Sequence, residues 1–260
     1  MNSRKSAVIT GSSTGIGLGV ARALAAQGMN IAMNGIEAAE EVEPTRAGLA
    51  NEHGVDVIYS RANLMTGAGA RELIDTAREA FGHIDVLVNN AGIQHVSPID
   101  EFPDEKWQAI IDLNLSSAFH TTKAVLPDMK AAGWGRIINI ASAHGLVASP
   151  CKSAYVSAKH GIIGMTKTVA LEVAEQGITV NAICPGYVWT PLVEKQIPDT
   201  MQARNLTEEE VRRDVLLKAQ PTREFATVED IGAYVVFLCS DAARNITGAS
   251  LTVDGGWTAQ

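Results

Sequence analysis

Tyr155 and Lys159 are the residues whose types and spacing point most directly to chemistry. They lie in a stretch with helical periodicity, and a separation of four residues places both side chains on one helix face, about one turn apart. Free tyrosine has a pKa near 10 and is a poor base at neutral pH. Because a neighbouring ammonium favours the phenolate and so lowers that pKa, the pair predicts a phenol that exchanges protons near neutral pH.

Ser142 strengthens this interpretation of the pair. It follows the predicted strand 136–140 at its carboxyl end, where open α/β sheets bind their ligands. Its hydroxyl is expected to orient a substrate oxygen beside Tyr155. The alternative is structural, with Tyr155 as a surface or core residue and the aliphatic stem of Lys159 lying past it.

A glycine-rich segment, residues 10–17, links the first predicted strand to the first predicted helix. Glycines let the backbone turn sharply and approach a pyrophosphate, whose charge is met by the N–H groups and positive end of the helix. The spacing is Gly-x-x-x-Gly-x-Gly, and it lacks the Gly-Lys-Ser/Thr ending of an ATP-binding loop. The segment therefore favours a dinucleotide over a kinase or NTPase site, with a purely structural turn as the alternative.

The residues after the second predicted strand bear on the choice between NAD and NADP. No Arg or Lys directly follows that strand to meet a 2′-phosphate, which favours NAD. Glu37 is the nearest acidic residue for the ribose hydroxyls, although it stands one residue later than expected.

The elements that must position these side chains alternate short β-branched runs with longer helical patterns, which is typical of βαβ units. The sequence therefore predicts one α/β domain over residues 1–260, a Rossmann-type doubly wound sheet of seven parallel strands with helices on both faces. The predicted strands are 7–10, 31–34, 56–59, 86–89, 136–140, 179–183 and 250–253. The predicted helices are 16–27, 40–52, 68–81, 104–132, 154–175 and 228–239.

Residues 187–220 interrupt this alternation over a length too great for an ordinary connection. We expect this segment to form a small helical lid over the substrate. Within it, the carboxylates at 208–210 and the arginines at 212–213 form opposite-charge pairs at i,i+4 spacing. The acidic run is therefore interpreted as a solvated helix face and not as an acid/base dyad.

Composition excludes several classes of partner. The formal charge is -8 and the sequence pI about 5.3, which disfavours nucleic acids and anionic membranes. The three cysteines are odd in number and widely spaced, so a disulfide framework or thiolate zinc site is not expected and a reduced cytoplasm fits best. The histidines show no metal-ligand spacing, and no apolar run is long enough to span a membrane.

The ordered motifs of this chain resemble the short-chain dehydrogenase/reductase family over essentially its full length. The matching motifs are residues 10–17, residues 89–92, Asn114, Ser142, Tyr155-x-x-x-Lys159, and Pro185-Gly186 followed by Thr190. The resemblance implies Tyr155 as general acid/base, Lys159 as its pKa-lowering partner and nicotinamide-ribose ligand, and Ser142 as carbonyl orienter. It also implies Asn114 as holder of a proton-relay water, and a homotetramer.

The same resemblance implies an NAD site in which the Val188 backbone and Thr190 meet the carboxamide. The implied cofactor residues are Gly11, Thr14, Gly15, Ile16, Gly17, Ile36, Asn63, Leu64, Asn90, Ala91, Gly92, Tyr155, Lys159, Pro185, Gly186, Val188 and Thr190. Asn63 departs from the family, which commonly carries an aspartate there to hold the adenine amino group. An amide can still accept a hydrogen bond through its oxygen.

Within that family, the chain most resembles the bacterial branch that oxidises D-3-hydroxybutyrate. The matching segments are 90–95, 141–149, 152–155, 190–196 and 254–259. The resemblance implies a carboxylate site for a short 3-hydroxy or 3-oxo acid formed by Gln94, His144, Lys152 and Gln196. It also implies that Trp257 closes the pocket, either within its own chain or from a neighbouring subunit.

Charge and spacing agree with part of that implication. Lys152 lies three residues before Tyr155, where a positive side chain would anchor a small anion with its hydroxyl at the phenol. Taken singly, His144 as a loop residue and Lys152 as a solvated cation are the alternatives. The thiol of Cys151, next to Lys152, is activated by that ammonium in one interpretation and is a small packing residue in the favoured one.

Other functions stay open from the sequence. A 3-oxoacyl-thioester reductase using NADPH, or another short-chain alcohol dehydrogenase, would share the fold, and the former predicts a basic residue near Gly35 and an open pocket. A non-catalytic dinucleotide sensor is a third alternative, but such proteins tend to lose the reactive side chains. Here Ser142, Tyr155 and Lys159 are all present.

Overall fold

The computed structural model of the chain describes residues 4–259, with the side chains of residues 192, 196, 199, 203 and 204 outside the description. Its strands are β1 (Ser6–Ile9), β2 (Asn30–Asn34), β3 (Val57–Ser60), β4 (Val86–Asn89), β5 (Gly135–Ile140), β6 (Ile178–Pro185) and β7 (Ser250–Val253). They form one parallel sheet in the order β3-β2-β1-β4-β5-β6-β7. The predicted Rossmann-type sheet of seven parallel strands is confirmed.

The strand order reverses between β1 and β4, which pair with Val8 opposite Leu87. The connections on either side of this pair leave in opposite directions, so a crevice opens at the carboxyl ends of the strands. Every residue of β5 and β6 is buried, as expected for strands covered by helices on both faces. The crevice therefore has a rigid floor.

Helices cover both faces of the sheet. They are α1 (Gly15–Ala26), α2 (Ala39–His53), α3 (Gly67–Phe81), α4 (Asp104–Ile111), α5 (Ser117–Ala132), α6 (Ser153–Glu172), α7 (Pro191–Glu194), α8 (Gln196–Arg204), α9 (Glu208–Glu210) and α10 (Val228–Cys239). Short 3-10 turns lie at Ile99–Glu101, Ala143–Gly145, Ala174–Gln176, Leu217–Ala219, Asp241–Ala243 and Trp257–Ala259. Within residues 4–259 no helix combines the length and apolar character needed to cross a bilayer.

Two hydrophobic clusters show how the layers are built. Residues of α1, α2 and α10 pack on one face of the sheet, with Leu24 and Ile231 fully buried. Residues of α3, α5 and α6 pack on the other, with Leu73 and Met129 fully buried. Local sequence sets the helix ends, as at α10, where Thr227 and Asp230 form a capping box.

The prediction of a single helix over residues 104–132 is wrong. The structure divides it into α4 and α5 by a π-helical turn, Asp112–Ser116. Sequence periodicity did not mark this turn, because such π-bulges occupy a single turn inside an otherwise α-helical segment. The helix predicted to run to residue 175 also ends earlier, at Glu172, and a 3-10 turn follows.

The segment 187–220 contains three short helices, a π-helical turn (Val211–Leu216) and a 3-10 turn. It has a small hydrophobic cluster of its own around Ile197, Val211 and Leu216. Arg212 pairs with Glu208 at 2.9 Å in the expected i,i+4 arrangement. The second predicted pair is wrong, because Arg213 lies 4.0 Å from Asp214 instead.

Candidate active site

The structure brings Ser142, Tyr155 and Lys159 together at the carboxyl end of β5. Ser142 lies two residues beyond that strand, and its hydroxyl is hydrogen-bonded to the Tyr155 phenol. The Ser142 Oγ also accepts a hydrogen bond from the backbone N–H of His144 at 3.1 Å. Tyr155 lies near the start of α6, half-buried, with Lys159 one turn later.

Lys159 is held by the sheet. Its ammonium donates a hydrogen bond to the carbonyl oxygen of Ile140 at 2.7 Å, and only 5% of the residue is exposed. The Nζ atom lies 5.6 Å from the centre of the Tyr155 ring. Burial lowers the pKa of Lys159 to about 8, since a low-dielectric environment disfavours the charged form.

The pKa of Tyr155 shifts in the opposite direction from the one predicted. Burial raises the pKa of the phenol, and the hydrogen bond with Ser142 opposes that effect. The sequence interpretation considered only the ammonium, but the Lys159 side chain reaches past the ring to Ile140. The dominant effect on the phenol is therefore desolvation.

Asn114 connects the π-helical turn to the loop after β4. Its Oδ1 accepts from the backbone N–H of Ile93 and its Nδ2 donates to the Ile93 carbonyl, each at 2.9 Å. Both amide atoms are thus committed to Ile93. Each of these amide atoms keeps capacity for one further hydrogen bond.

The glycine loop has no room for side chains at two positions. A Cβ built on Gly17 would lie 2.3 Å from the carbonyl oxygen of Gly11, and one built on Gly11 would lie 2.9 Å from the Cα of Ala91. Gly11 and Gly15 also have positive φ angles, 59° and 55°, a region that favours glycine. The loop can therefore keep this conformation and close packing only with glycine at these positions.

Hydrogen bonds join the loop that follows β1 to the loop that follows β4. Thr10 Oγ1 accepts from the backbone N–H groups of Asn90 and Ala91, each at 2.9 Å. The Nδ2 atom of Asn90 donates to the carbonyl oxygens of Thr10 and Gly11 at 3.0 and 2.7 Å. Residues 90–92 and the glycine loop are thus fixed to each other.

These residues fit a dinucleotide. Within the part of the chain that the structure describes, the first turn of α1 carries no acidic residue and the Thr14 side chain makes no capping hydrogen bond. The N–H groups of that turn are therefore free of a side-chain cap and suited to a phosphate. Thr190 reaches the same loop, with its Cγ2 3.7 Å from a Cβ built on Gly15.

Glu37 and Arg61 flank the end of β2. The Glu37 carboxylate accepts from the backbone N–H of Ile36 at 3.0 Å and is hydrogen-bonded to Ser13 in the glycine loop. Burial raises the pKa of Glu37, but these bonds and one with Tyr59 outweigh it and hold the pKa below its usual value. The carboxylate is thus ionised at neutral pH beside the expected ribose position.

Arg61 is a basic residue that inspection of the β2 segment missed. Its Nη2 donates to the carbonyl oxygen of Ile36 at 3.1 Å. The expectation that no Arg or Lys lies near Gly35 and Ile36 is therefore wrong. In the folded structure the guanidinium of Arg61, which follows β3, lies beside Ile36. Only the pairing of β2 with β3 places it there.

Asn63 and Leu64 follow β3 at the same edge of the sheet. Leu64 is buried, and Asn63 is exposed. The Oδ1 atom of Asn63 accepts from the backbone N–H of Met65 at 3.0 Å. The amide oxygen, which we expected to accept a hydrogen bond from the adenine amino group, thus already accepts one within its own turn.

His144 lies next to Tyr155 and interacts electrostatically with Lys152. His144 is 6% exposed, and its Nε2 lies 2.7 Å from the Ser149 hydroxyl. Burial and the charge of Lys152 lower the pKa of His144 to about 4, so the imidazole is neutral at pH 7. Burial also lowers the pKa of Lys152, which directly precedes α6.

Aromatic rings complete this wall. Trp257 stacks on Tyr187 with ring centres 6.1 Å apart and an angle of 5°, and it meets His144 edge-on at 4.9 Å. His144 in turn lies edge-on to Tyr155 at 6.1 Å. Trp257 is thus linked to Tyr155 through His144 within one chain. Tyr187 was not singled out from the sequence, because nothing in its local context distinguishes it.

Gln220 is a second residue that the sequence did not reveal. It is 1% exposed, its Oε1 accepts from the backbone N–H of Tyr187, and its Nε2 donates to the carbonyl oxygen of Glu224 at 2.7 Å. A Cβ on Gly186 would lie 2.4 Å from that Oε1. Gln220 therefore fixes the turn after Pro185 that carries Tyr187.

The remaining predicted residues are placed less completely. Gln94 is exposed, in a segment joined to the Cys151 loop by a hydrogen bond from the N–H of Ser97 to the Cys151 carbonyl at 2.9 Å. The side chain of Gln196 lies outside the described residues. Val188 is buried and pairs with Ala226. The interpretation of Cys151 as a packing residue is wrong, because it is exposed.

The chain is similar to known proteins over almost its whole length. Residues 11–258 match the family model described as enoyl-(acyl carrier protein) reductase. The chain is 55% identical to a D-beta-hydroxybutyrate dehydrogenase of Rhizobium meliloti (strain 1021), over 98% of this chain and 99% of that protein. It is 52% identical to the protein of the same name from Cupriavidus necator, over 98% of each.

More distant similarity extends to other activities. A 3-oxoacyl-[acyl-carrier-protein] reductase of Staphylococcus epidermidis is 36% identical over 97% of this chain and 98% of its own length. The structure of L-sorbose reductase from Gluconobacter frateurii, complexed with NADPH and L-sorbose, matches with a TM-score of 0.94 at 32% identity. That match covers 99% of this chain and 98% of the reductase.

Proposed function

Because the chain belongs to the short-chain dehydrogenase/reductase family, we propose that it catalyses the reversible NAD-dependent oxidation of D-3-hydroxybutyrate to acetoacetate. The observation that carries the proposal is the position of Lys152, which interacts electrostatically with His144 and directly precedes the helix that bears Tyr155. This arrangement places a cation for a carboxylate near a phenol for a hydroxyl. The names of the relatives at 55% and 52% identity support the same substrate.

Lys152 and His144 bind the substrate carboxylate in this proposal. A partly buried ammonium forms a charge-assisted hydrogen bond, which is stronger than a neutral one. A neutral imidazole adds an N–H donor without adding a charge that must be desolvated. Gln94 and Gln196 belong to the same proposed carboxylate site, and Trp257 limits the pocket on the far side.

Tyr155 acts as the general acid/base. During oxidation the Tyr155 phenolate would take the proton of the substrate hydroxyl, and NAD, when bound, would supply the hydride acceptor. Ser142 donates a hydrogen bond to the substrate oxygen. In the reverse direction the phenol returns its proton to the carbonyl oxygen, and the raised pKa of Tyr155 favours this protonated form.

The proposed cofactor site follows the carboxyl edge of β1, β2 and β4. The pyrophosphate is held at the start of α1, the adenosine lies towards Ile36, Asn63 and Leu64, and the nicotinamide lies towards residues 90–92 and 185–190. Lys159 binds the nicotinamide ribose, and Asn114 holds a proton-relay water. Glu37 supports NAD, since a 2′-phosphate beside this ionised carboxylate would be repelled.

The position of Arg61 supports a second candidate function. A guanidinium hydrogen-bonded to the Ile36 carbonyl is suited to a 2′-phosphate, as an NADPH-linked 3-oxoacyl-thioester reductase requires. The relative of that name at 36% identity supports this alternative less strongly. The two functions differ in both cofactor and substrate, so one comparison separates them.

The proposal extends to assembly and location. Segment 187–220 acts as a lid that closes over the substrate, and its own hydrophobic cluster supports movement as a unit. The resemblance to the short-chain dehydrogenase/reductase family supports self-association into a homotetramer. The three free cysteines support a reducing cytoplasm. Light scattering tests the tetramer, and proteolysis of the lid with and without ligands tests its closure.

The decisive experiment compares steady-state rates for both enantiomers of 3-hydroxybutyrate and several longer hydroxy acids, each with NAD and with NADP. We expect the highest kcat/KM for D-3-hydroxybutyrate with NAD. Reduction of acetoacetyl thioesters with NADPH is measured in parallel. Faster turnover of the thioester with NADPH would replace the proposed function with the second candidate.

A further inference from the structure

Trp257 links the segment that follows β7 to the proposed active site. Its ring is stacked on Tyr187 and meets His144 edge-on with ring centres 4.9 Å apart. His144 in turn lies edge-on to Tyr155 at 6.1 Å. The position of one indole therefore affects both side chains that it contacts, and one of them adjoins the proposed acid/base.

The backbone that leads to Trp257 has little intrinsic preference for the conformation it adopts. Gly255 and Gly256 directly precede Trp257 and have positive φ angles, 58° and 85°. Glycine enters this region readily but is equally free to leave it, so a glycine pair does not fix the residue that follows. Another group must hold the turn that carries the indole.

Asp254 holds this turn through its side chain. The residue is 5% exposed. Its Oδ1 accepts from the backbone N–H of Gly256 at 3.1 Å, and its Oδ2 accepts from the backbone N–H of Thr258 at 2.9 Å and from the Thr258 hydroxyl at 2.6 Å. The Trp257 N–H also donates to the Asp254 carbonyl oxygen at 3.1 Å. The main chain is thus bound to Asp254 on both sides of the indole.

This turn requires a carboxylate at residue 254. Donors converge on both of its oxygens, and an amide offers only one oxygen. Among the residues that the structure describes, Asp254 forms no ion pair. Its polar contacts are therefore spent on the turn that bears Trp257 and not on a cation elsewhere.

The same turn packs against the segment that carries Tyr187. The N–H of Gly186 donates to the carbonyl oxygen of Val253 at 3.0 Å, and a Cβ built on Gly186 would lie 3.0 Å from the Cα of Asp254. The two stacked rings are therefore carried by neighbouring main-chain segments. A shift of the turn after Asp254 would move Trp257 relative to Tyr187 and would disturb their stacking.

We propose that Asp254 is a positioning residue for the substrate, which acts by holding Trp257 against His144 and Tyr187. Asp254 itself does not touch the hydroxy acid in this proposal. The inference rests on the proposed function, in which Trp257 limits the substrate pocket. A displaced indole leaves the substrate less confined and frees the His144 ring, so the effect falls on substrate binding.

The first test is Asp254→Asn in the full-length protein. This change keeps the volume, but the new NH2 group faces a backbone N–H in either amide orientation, so one bond to the turn is lost. We expect the KM for D-3-hydroxybutyrate to rise about three- to tenfold, with a smaller change in kcat and an unchanged Kd for NAD. Removal of a negative charge would by itself favour an anionic substrate, so simple electrostatics predicts the opposite sign.

The matched control is Asp56→Asn, which removes the same charge from an exposed residue before β3 and should leave KM unchanged. Thr258→Val removes only the hydroxyl that donates to Asp254, and should raise KM by a smaller factor than Asp254→Asn. It keeps the proposal testable if Asp254→Asn does not fold. Melting temperatures without ligand report the folding of each variant.

A double-mutant cycle with Trp257→Ala separates positioning from a general loss of stability. If Asp254 acts through the indole, Asp254→Asn should change KM less than about twofold once Trp257 is replaced. The near-ultraviolet circular dichroism difference between wild type and Asp254→Asn should also share the bands of the difference between wild type and Trp257→Ala. Both properties are measured on the same four proteins.

Two results would overturn the role of Asp254: a KM that is the same in wild type, Asp254→Asn and Thr258→Val, or an equal factor for Asp254→Asn with and without Trp257. The wild-type rate with D-3-hydroxybutyrate and NAD tests the proposed function separately. If the wild type does not oxidise this substrate, the proposed function fails and this inference fails with it. If it does, only the variants decide the role of Asp254.

Discussion

The ammonium of Lys159 and the carbonyl oxygen of Ile140 are joined by a buried hydrogen bond of 2.7 Å. This bond links the helix that carries Tyr155 to the strand that leads into Ser142. It therefore fixes the phenol relative to the serine hydroxyl, which makes it a link between the sheet and the proposed chemistry. It also leaves the Lys159 ammonium in a low-dielectric environment, which lowers the free energy of unfolding by an amount that depends on pH.

Lys159 should make the unfolding free energy depend on pH above neutrality. Its pKa is lowered from 10.5 to about 8, so above pH 8 the folded protein loses this proton while the unfolded chain keeps it. Stability then rises with pH, because the unfolded state binds more protons. The contribution grows by about 2 kcal/mol between about pH 7.5 and about pH 9.5.

The variant Lys159→Met isolates this contribution, since buried tyrosines and cysteines with raised pKa values act in the opposite direction in both proteins. Urea unfolding at the two pH values gives the four free energies. The difference between wild type and variant should move in favour of the wild type at the higher pH. A difference that stays constant would show that the ammonium is not desolvated in the folded state.

Tyr155→Phe should abolish turnover while leaving dinucleotide binding intact. The substitution removes only the hydroxyl and keeps the ring that meets His144 edge-on. Loss of a general acid/base is expected to lower kcat by about 10³-fold. Single-turnover rates and titration with NAD measure the two properties, and retention of more than about a tenth of wild-type kcat would remove Tyr155 from the mechanism.

Lys152→Gln should weaken substrate binding specifically through the carboxylate. Loss of a charge-assisted hydrogen bond predicts a rise in KM of about 10- to 100-fold with a smaller change in kcat. Lys167→Gln, at an exposed residue of the same helix, is the matched control and should behave as wild type. The methyl ester of 3-hydroxybutyrate has no carboxylate, so an equal loss with the ester would contradict the assignment.

Gly17→Ala and Gly48→Ala should have opposite effects on stability. A Cβ on Gly17 would lie 2.3 Å from a backbone oxygen, so we expect the fold to lose about 1–3 kcal/mol and NAD binding to weaken. A Cβ on Gly48, exposed in α2, meets no atom within 4 Å. That variant should gain roughly 0.5–1 kcal/mol from helix propensity, and calorimetric melting of both proteins checks the signs.

Local sequence was sufficient for the fold because each strand and helix carries its own periodic signal. The alternation of buried strands with amphipathic helices predicted all seven strands within one or two residues, since parallel strands covered on both faces read as continuous apolar runs. The π-helical turn at Asp112–Ser116 was not predictable. It coincides with the bonds between Asn114 and Ile93, which are distant in sequence.

The amino-acid sequence by itself determined the fold, the family and the residues that meet at Tyr155, because spacing on one helix and position at a strand end are local properties. Only the tertiary structure decided how those residues act on one another. It raised the pKa of the phenol by burial, brought Arg61 to Ile36 across two strands and set Trp257 against Tyr187. Burial and contacts between distant segments arise only when the chain is packed, and no local pattern records them.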